Sequence, residues 1–257
     1  SWIASVRGSL LRALGRFDEA ALSHDEAIRL AIEQAGEDSQ LHARRLRGRA
    51  GLYIDLGRYR DAEKTLREVL DVATAAGSNP GREAGRAWIQ LADVYNRSDR
   101  PEAAERAARE AIAQSEHIGR LSTLAGRRAL GNSLSRQGRY AEAGPLLEEV
   151  VSERAGPGPD EYVSMLGYLL AVSEHYRRAG APERSLEYAE RADRISESIS
   201  PPGTWLAALG KAELGQVLAD LGRDREAARL VTDARADLLR VLDDDDPRIP
   251  PPMQSGP

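Results

Sequence analysis

The chain has 257 residues, with 36 Lys and Arg against 41 Asp and Glu, a formal charge of -5, no cysteine and 5% aromatic residues. The mild charge carries no polyanion-binding signature, and the missing thiol excludes disulfides, thiolate metal sites and a cysteine nucleophile and fits a cytoplasmic setting. No apolar run approaches the roughly 20 residues a membrane helix needs, and the abundance of Ala, Leu, Arg and Glu favours helix over sheet.

In chain order, Trp2-Ile3-Ala4-Ser5-Val6 is helical in pattern from the outset; with no initiator Met ahead of it, it reads as part of a fragment of a larger protein. A turn follows at Gly15-Arg16-Phe17-Asp18-Glu19-Ala20 and recurs at Gly57, Asp99, Gly138, Gly180 (as the degenerate Gly-Ala-Pro-Glu-Arg-Ser) and Gly222, in steps of 42, 42, 39, 42 and 42 residues. That period belongs to helical-repeat arrays. In the second unit, 43–84, Leu46, Ala50, Tyr53 and Ile54 form the apolar face of one helix, which ends at Leu56-Gly57. Ala62, Leu66, Val69 and Leu70 repeat the spacing on a second helix, ended by breakers from Ala75 to Gly81.

Small residues at the sixth turn position (Ala62, Ala104, Ala143, Ala227, with Ser185 in the fifth unit) let the two helices approach. Seven residues further, Ala27, Val69, Ala111, Val150, Ala192 and Ala234 are expected to meet the next unit. Gly36–Ser39, Gly156–Asp160 and Ser200–Thr204 are strong junctions, whereas Ser115–Gly119 is short, and the 39-residue step there is expected to change the local pitch.

Trp88, Leu91, Ala92 and Tyr95, followed by Ala104, Ala108 and Ala111, with Leu130-Gly131 and Leu214-Gly215 in other units, resemble the tetratricopeptide repeat. The period of about 42 exceeds the usual 34, as in kinesin-light-chain-like proteins and sensor portions of bacterial regulators. The resemblance implies an all-α, right-handed α-α superhelix of about six helix-turn-helix repeats over 1–242, ahead of an acidic, Pro-rich disordered tail over 243–257.

It also implies that first helices line a concave groove. Carried over, its peptide- or anion-binding residues are Arg44, Arg47, Arg86, Arg97, Arg128, Asn132, Arg136 and Arg177, with Arg12 and Arg178 alongside. Arg grips carboxylate or phosphate through a planar fork, so the expected partner is an acidic or extended peptide. The competing reading is that these arginines are solvated or paired with Asp93, Glu174 or the next helix. The Asp243–Asp246 run is either a solvated linker or a ligand for the same groove.

His24, His42, His117 and His175 lack metal-ligand spacing and read as surface or groove residues; no cofactor, metal site or catalytic centre is expected. Sparse aromatics in the groove argue against nucleic acid. The sequence leaves three functional readings: a peptide-binding interaction module, the ligand-sensing domain of a larger regulator, and self-association through terminal repeats that expose Trp2, Ile3 and Val6.

Overall fold

The computed structural model describes residues 1–76, 81–115, 120–153, 159–244, 246 and 248–253. Among them are twelve α-helices and no strand: α1 (Trp2–Ala13), α2 (Phe17–Ala35), α3 (Gln40–Asp55), α4 (Tyr59–Ala75), α5 (Gly81–Arg97), α6 (Pro101–Ser115), α7 (Arg120–Arg136), α8 (Tyr140–Glu153), α9 (Pro159–Arg178), α10 (Pro182–Ile199), α11 (Trp205–Asp220) and α12 (Asp224–Leu238). They form two compact units, Ser1–Ser133 and Leu134–Pro257, the second beginning in the last turn of α7.

The recurrent turn explains the pairing. Gly15, Gly57, Gly138, Gly180 and Gly222 all have φ between +70° and +76°, a region open to glycine at no steric cost. The next residue then donates its backbone N–H back across the helix end: Arg16 to Leu11, Arg58 to Tyr53, Arg139 to Leu134 and Arg223 to Leu218, each at 2.8–2.9 Å. These are Schellman bonds, which satisfy carbonyls that the helix leaves orphaned. Four of these arginines also pair with an acid three residues on, at Glu19, Asp61, Glu142 and Glu226, in the first turn of the next helix. Arg100 instead reaches Glu63 on α4, at 2.7 Å.

Within unit 1 each helix from α1 to α5 packs on its successor, and α1 and α3 also reach α3 and α5 respectively. Unit 2 shows the same succession from α8 to α12, with α9 reaching α11. The small residues lie where the pairs close: Ala62, Ala104, Ala143, Ser185 and Ala227 are fully buried, as are Ala27, Val69, Ala111, Ala192 and Ala234. A larger side chain at these points would push helices apart, at a cost typically of about 1–3 kcal/mol.

The junction readings at 77–80, 116–119 and 154–158 lie outside the described residues, as does His117. Beyond α12, Leu242 is buried, and so is Ile249 in the segment 243–257 that the sequence reads as a disordered tail. Arg235 of α12 donates to the Pro250 carbonyl at 2.6 Å and pairs with Asp244 at 3.2 Å, while Arg248 closes on Asp246 at 2.7 Å. Residues 245, 247 and 254–257 lie outside the described residues.

Candidate functional site

The first helix of each pair supplies the groove arginines, and in unit 1 the guanidinium groups of Arg12, Arg44, Arg47 and Arg128 turn toward carboxylates about one repeat away along the chain. Arg12 on α1 meets Asp55 on α3 at 3.1 Å, resting on the bare backbone of Gly51, where a Cβ would collide with it. Arg44 and Arg47 on α3 each aim Nε at one oxygen of Glu83 on α5, at 3.1 and 2.9 Å. Arg86 stands 3.9 Å from the same carboxylate. Arg128 on α7 places Nη2 2.9 and 2.8 Å from the two oxygens of Asp93 on α5.

Glu83 is the centre of this arrangement. Its side chain is 1% exposed, and burial alone would raise its pKa, yet the charges and hydrogen bonds of Arg47 and Arg44 outweigh that and hold it below the ordinary carboxylate range. Arg97 and Asn132 make no hydrogen bond or ion pair among the described residues, and both are part-exposed. Six guanidinium groups of the strip (Arg12, Arg44, Arg47, Arg86, Arg97, Arg128) thus stand against three carboxylates (Asp55, Glu83, Asp93), an excess of three positive charges in unit 1.

Unit 2 has a different balance. Arg136 on α7 pairs with Glu174 on α9 at 2.8 Å, and Arg178 reaches the same oxygen at 2.9 Å. Arg177 pairs with Asp220 on α11 at 2.8 Å and lies 3.5 Å from Glu213, which accepts a hydrogen bond from Ser173 at 2.7 Å. Three cations face three acids here. Burial opposes the charge of Glu174, but Arg136 and Arg178 keep its pKa low. Burial pushes Glu213 up to about 7, with Glu174 and Asp220 adding to the rise and Arg177 and Ser173 resisting it.

The paired reading of the arginines is therefore the one that matches the geometry for Arg12, Arg44, Arg47, Arg128, Arg136 and Arg177. The sequence named Asp93 and Glu174 as partners but missed Glu83 and Glu213. The signal was available as spacing, since the paired residues of neighbouring repeats are 35 to 43 positions apart. The histidines need correction: His24, His42 and His175 are buried, not surface or groove residues. Each fills a place against a neighbouring helix or loop; His42 Nδ1 meets the Glu37 carbonyl and His175 Nδ1 meets Ser135. Among the described residues no cluster of three metal-ligating side chains occurs, and no helix is long and apolar enough to cross a membrane. Of the acids following α12, Asp244 pairs with Arg235 and Asp246 with Arg248.

Three family profiles, each described as a tetratricopeptide repeat, match residues 1–75, 48–117 and 123–154, together more than half of the chain. No curated protein matches in sequence. Among solved structures, the chain is similar to a putative kinesin light chain with nearly identical TPR-like repeats from Podosopora anserina, at 20% identity and TM-score 0.50, over 77% of this chain and 95% of that one. It is similar to NprR in complex with its cognate peptide NprX, at 15% identity and TM-score 0.67, over 93% and 70%. A Rap protein complexed with competence and sporulation factor aligns at 11% identity and TM-score 0.66, over 92% and 76%. At such identities the likeness establishes a shared fold.

Proposed function

We propose that this chain, which belongs to the tetratricopeptide-repeat family, is a non-catalytic protein-interaction module that takes an acidic, extended peptide segment on the arginine strip of its first unit. One observation carries the reading: in unit 1 the strip holds six arginines against three carboxylates, with Arg44, Arg47 and Arg86 sharing the single charge of Glu83 and the part-exposed Arg97 paired with no group among the described residues. Buried Glu83 fixes Arg44 and Arg47 through Nε, which leaves their terminal NH2 groups as donors for a peptide carboxylate. Preorganised guanidinium groups lose less side-chain entropy on binding than free ones, which offsets part of the attraction that Glu83 neutralises. The strip of unit 2, with three acids for three arginines, offers no such excess. Peptide-bound relatives of the same fold, NprR with NprX among them, accord with this use of the scaffold.

The test is a titration of a short fluorescent Asp/Glu-rich peptide, followed by anisotropy at two ionic strengths. Charge reversal at Arg128 is a poor probe, because it sets a second carboxylate against Asp93. Neutral substitution is cleaner: Arg44→Gln with Arg86→Gln is expected to weaken binding roughly tenfold, the worth of about 1.4 kcal/mol. Arg178→Gln in unit 2 is expected to change it less than twofold. Equal losses in the two variants, or none in the first, overturn the assignment.

Self-association is a second reading, favoured by the outer face of α1. Ile3 and Leu10 stand twelve and five residues before the turn; the matching pairs Arg45 and Leu52, Ala87 and Val94, and Tyr168 and His175 are all buried, whereas Ile3 is 76% and Leu10 61% exposed. A second copy that covers this face would appear as a concentration-dependent mass in light scattering, removed by Leu10→Lys; a constant monomer mass refutes it.

A further inference from the structure

His24 has a setting unlike any other titratable group in the described residues. It lies on α2, nine residues past the turn, where the matching positions carry Leu66, Ala108, Leu147, Ala189 and Val231, all buried apolar side chains. Its ring is 1% exposed and neither ring nitrogen has a hydrogen-bond partner. Two glycines make room for it: a Cβ added at Gly8 of α1 would lie 3.1 Å from the imidazole, and one at Gly48 of α3 3.3 Å from it. The imidazole is thus a slab clamped between α1 and α3, with no acceptor for a second proton among the described residues.

The charged groups that face it come from all three helices. Arg12 on α1 and Arg49 on α3 disfavour a positive ring, and Asp25 on α2 favours one but is occupied by Arg49 at 3.1 Å. Among the described residues α1 is lightly held: Ala4 and Gly8 are its buried residues, and it packs on α2 and α3. When α1 leaves, the ring gains water on one side and Arg12 withdraws from Asp55.

We infer that the Gly8–His24–Gly48 clamp is an acid-sensitive latch that holds α1 on α2 and α3 while the imidazole is neutral and releases α1 when it takes up a proton. Burial, with Arg12 and Arg49 beside it, lowers the His24 pKa from 6.5 to about 4 while α1 is docked. The released state recovers the ordinary value, so the docked state is fully favoured above about pH 6.5 and loses its advantage as pH falls toward 4. At pH 5 the opening equilibrium is expected to be about 30-fold greater than at pH 8, from the ratio of proton binding in the two states. Release removes one cation from the unit 1 strip and uncovers Asp55, so acid would weaken an acidic ligand there.

Amide hydrogen exchange of the full chain at pH 8 and pH 5, corrected for intrinsic rates and read over residues 2–13, tests this directly. Wild type is expected to show the roughly 30-fold rise in α1 opening. His24→Leu, with the side chain that Leu66 and Leu147 provide at the matching places, is expected to show less than threefold. His24→Gln serves as a polar, non-titrating companion should the leucine pack badly, and it too should respond less than threefold. His175→Leu, in unit 2, keeps the wild-type response of α1. An equal rise in wild type and both His24 variants, or no rise in wild type, overturns the latch.

Discussion

Replacing Glu83 by Gln removes the one carboxylate that three arginines share, and the structure sets the size of the effect. Glu83 is 1% exposed, Arg47 23%, Arg86 39% and Arg44 48%. Stranding a buried charge costs about 3–5 kcal/mol, but guanidinium groups this exposed recover much of their hydration. The charged hydrogen bond from Arg47 is worth about 1.5–3 kcal/mol and the more exposed Arg44 and Arg86 a few tenths each. Relief of the desolvation that opposes ionisation of Glu83 returns part of this, leaving a loss of about 2 kcal/mol in the unfolding free energy. Because the folded pKa of Glu83 lies below its usual 4.5, the stabilisation is complete above pH 4.5 and disappears only as the pH falls through the depressed value. Wild type and variant should therefore differ by a constant amount from pH 8 to pH 5. Urea unfolding followed by far-UV circular dichroism measures it. The same substitution raises the charge excess of the strip by one, so acidic-peptide affinity is expected to rise two- to fivefold while stability falls. A stability loss under about 0.5 kcal/mol, or weaker peptide binding at equal fold, would refute the account of Glu83 as a neutralising centre.

Arg97→Gln, at a cation with no partner among the described residues, should leave the melting temperature unchanged and weaken acidic-peptide binding by about two- to fivefold, read by anisotropy. Glu213 has a raised folded pKa of about 7, so its contribution is favourable below pH 4.5 and is lost as the pH rises through 7; Glu213→Gln is expected to stabilise the protein at pH 8 by up to about 3 kcal/mol and by little at pH 5, in paired thermal melts. Asp99 occupies the turn position that glycine holds elsewhere, with φ +54°, so Asp99→Gly should gain about 0.5–1 kcal/mol and Asp99→Val should lose more than that, by urea midpoint.

The repeat frame was legible because the turn has a local cause. A left-handed residue, a Schellman bond and an acid three residues on all lie within six positions, and even Asp99 could be placed as the third copy before its positive φ was known. Burial of Ala62, Ala104 and Ala143 followed from the same frame. Ion pairing between repeats was legible only in outline. Glu83 lies in the first turn of α5, where an acid is unremarkable, and Glu213 is an isolated acid in the largely apolar α11; their partners are a whole repeat away, so that only the closeness of α3 to α5 and of α9 to α11 brings them together. His24 was misjudged for the opposite reason: its period places it among core leucines and alanines, but residue type argued for the surface, and the glycines that admit it lie on two other helices. The break of period at 115–119 could be read in sequence, whereas its structural consequence falls outside the described residues.

The central claim is that charge excess, and not fold alone, directs a ligand to the first unit. Hydrogen-exchange footprinting of the full chain with and without a saturating Asp/Glu-rich peptide measures this most directly. The expected result is protection gathered on α3, α5 and the first half of α7, with α9 and α11 unchanged and the footprint fading at high salt. Protection centred on α9 and α11, or a footprint indifferent to salt and to the charge of the peptide, would contradict it.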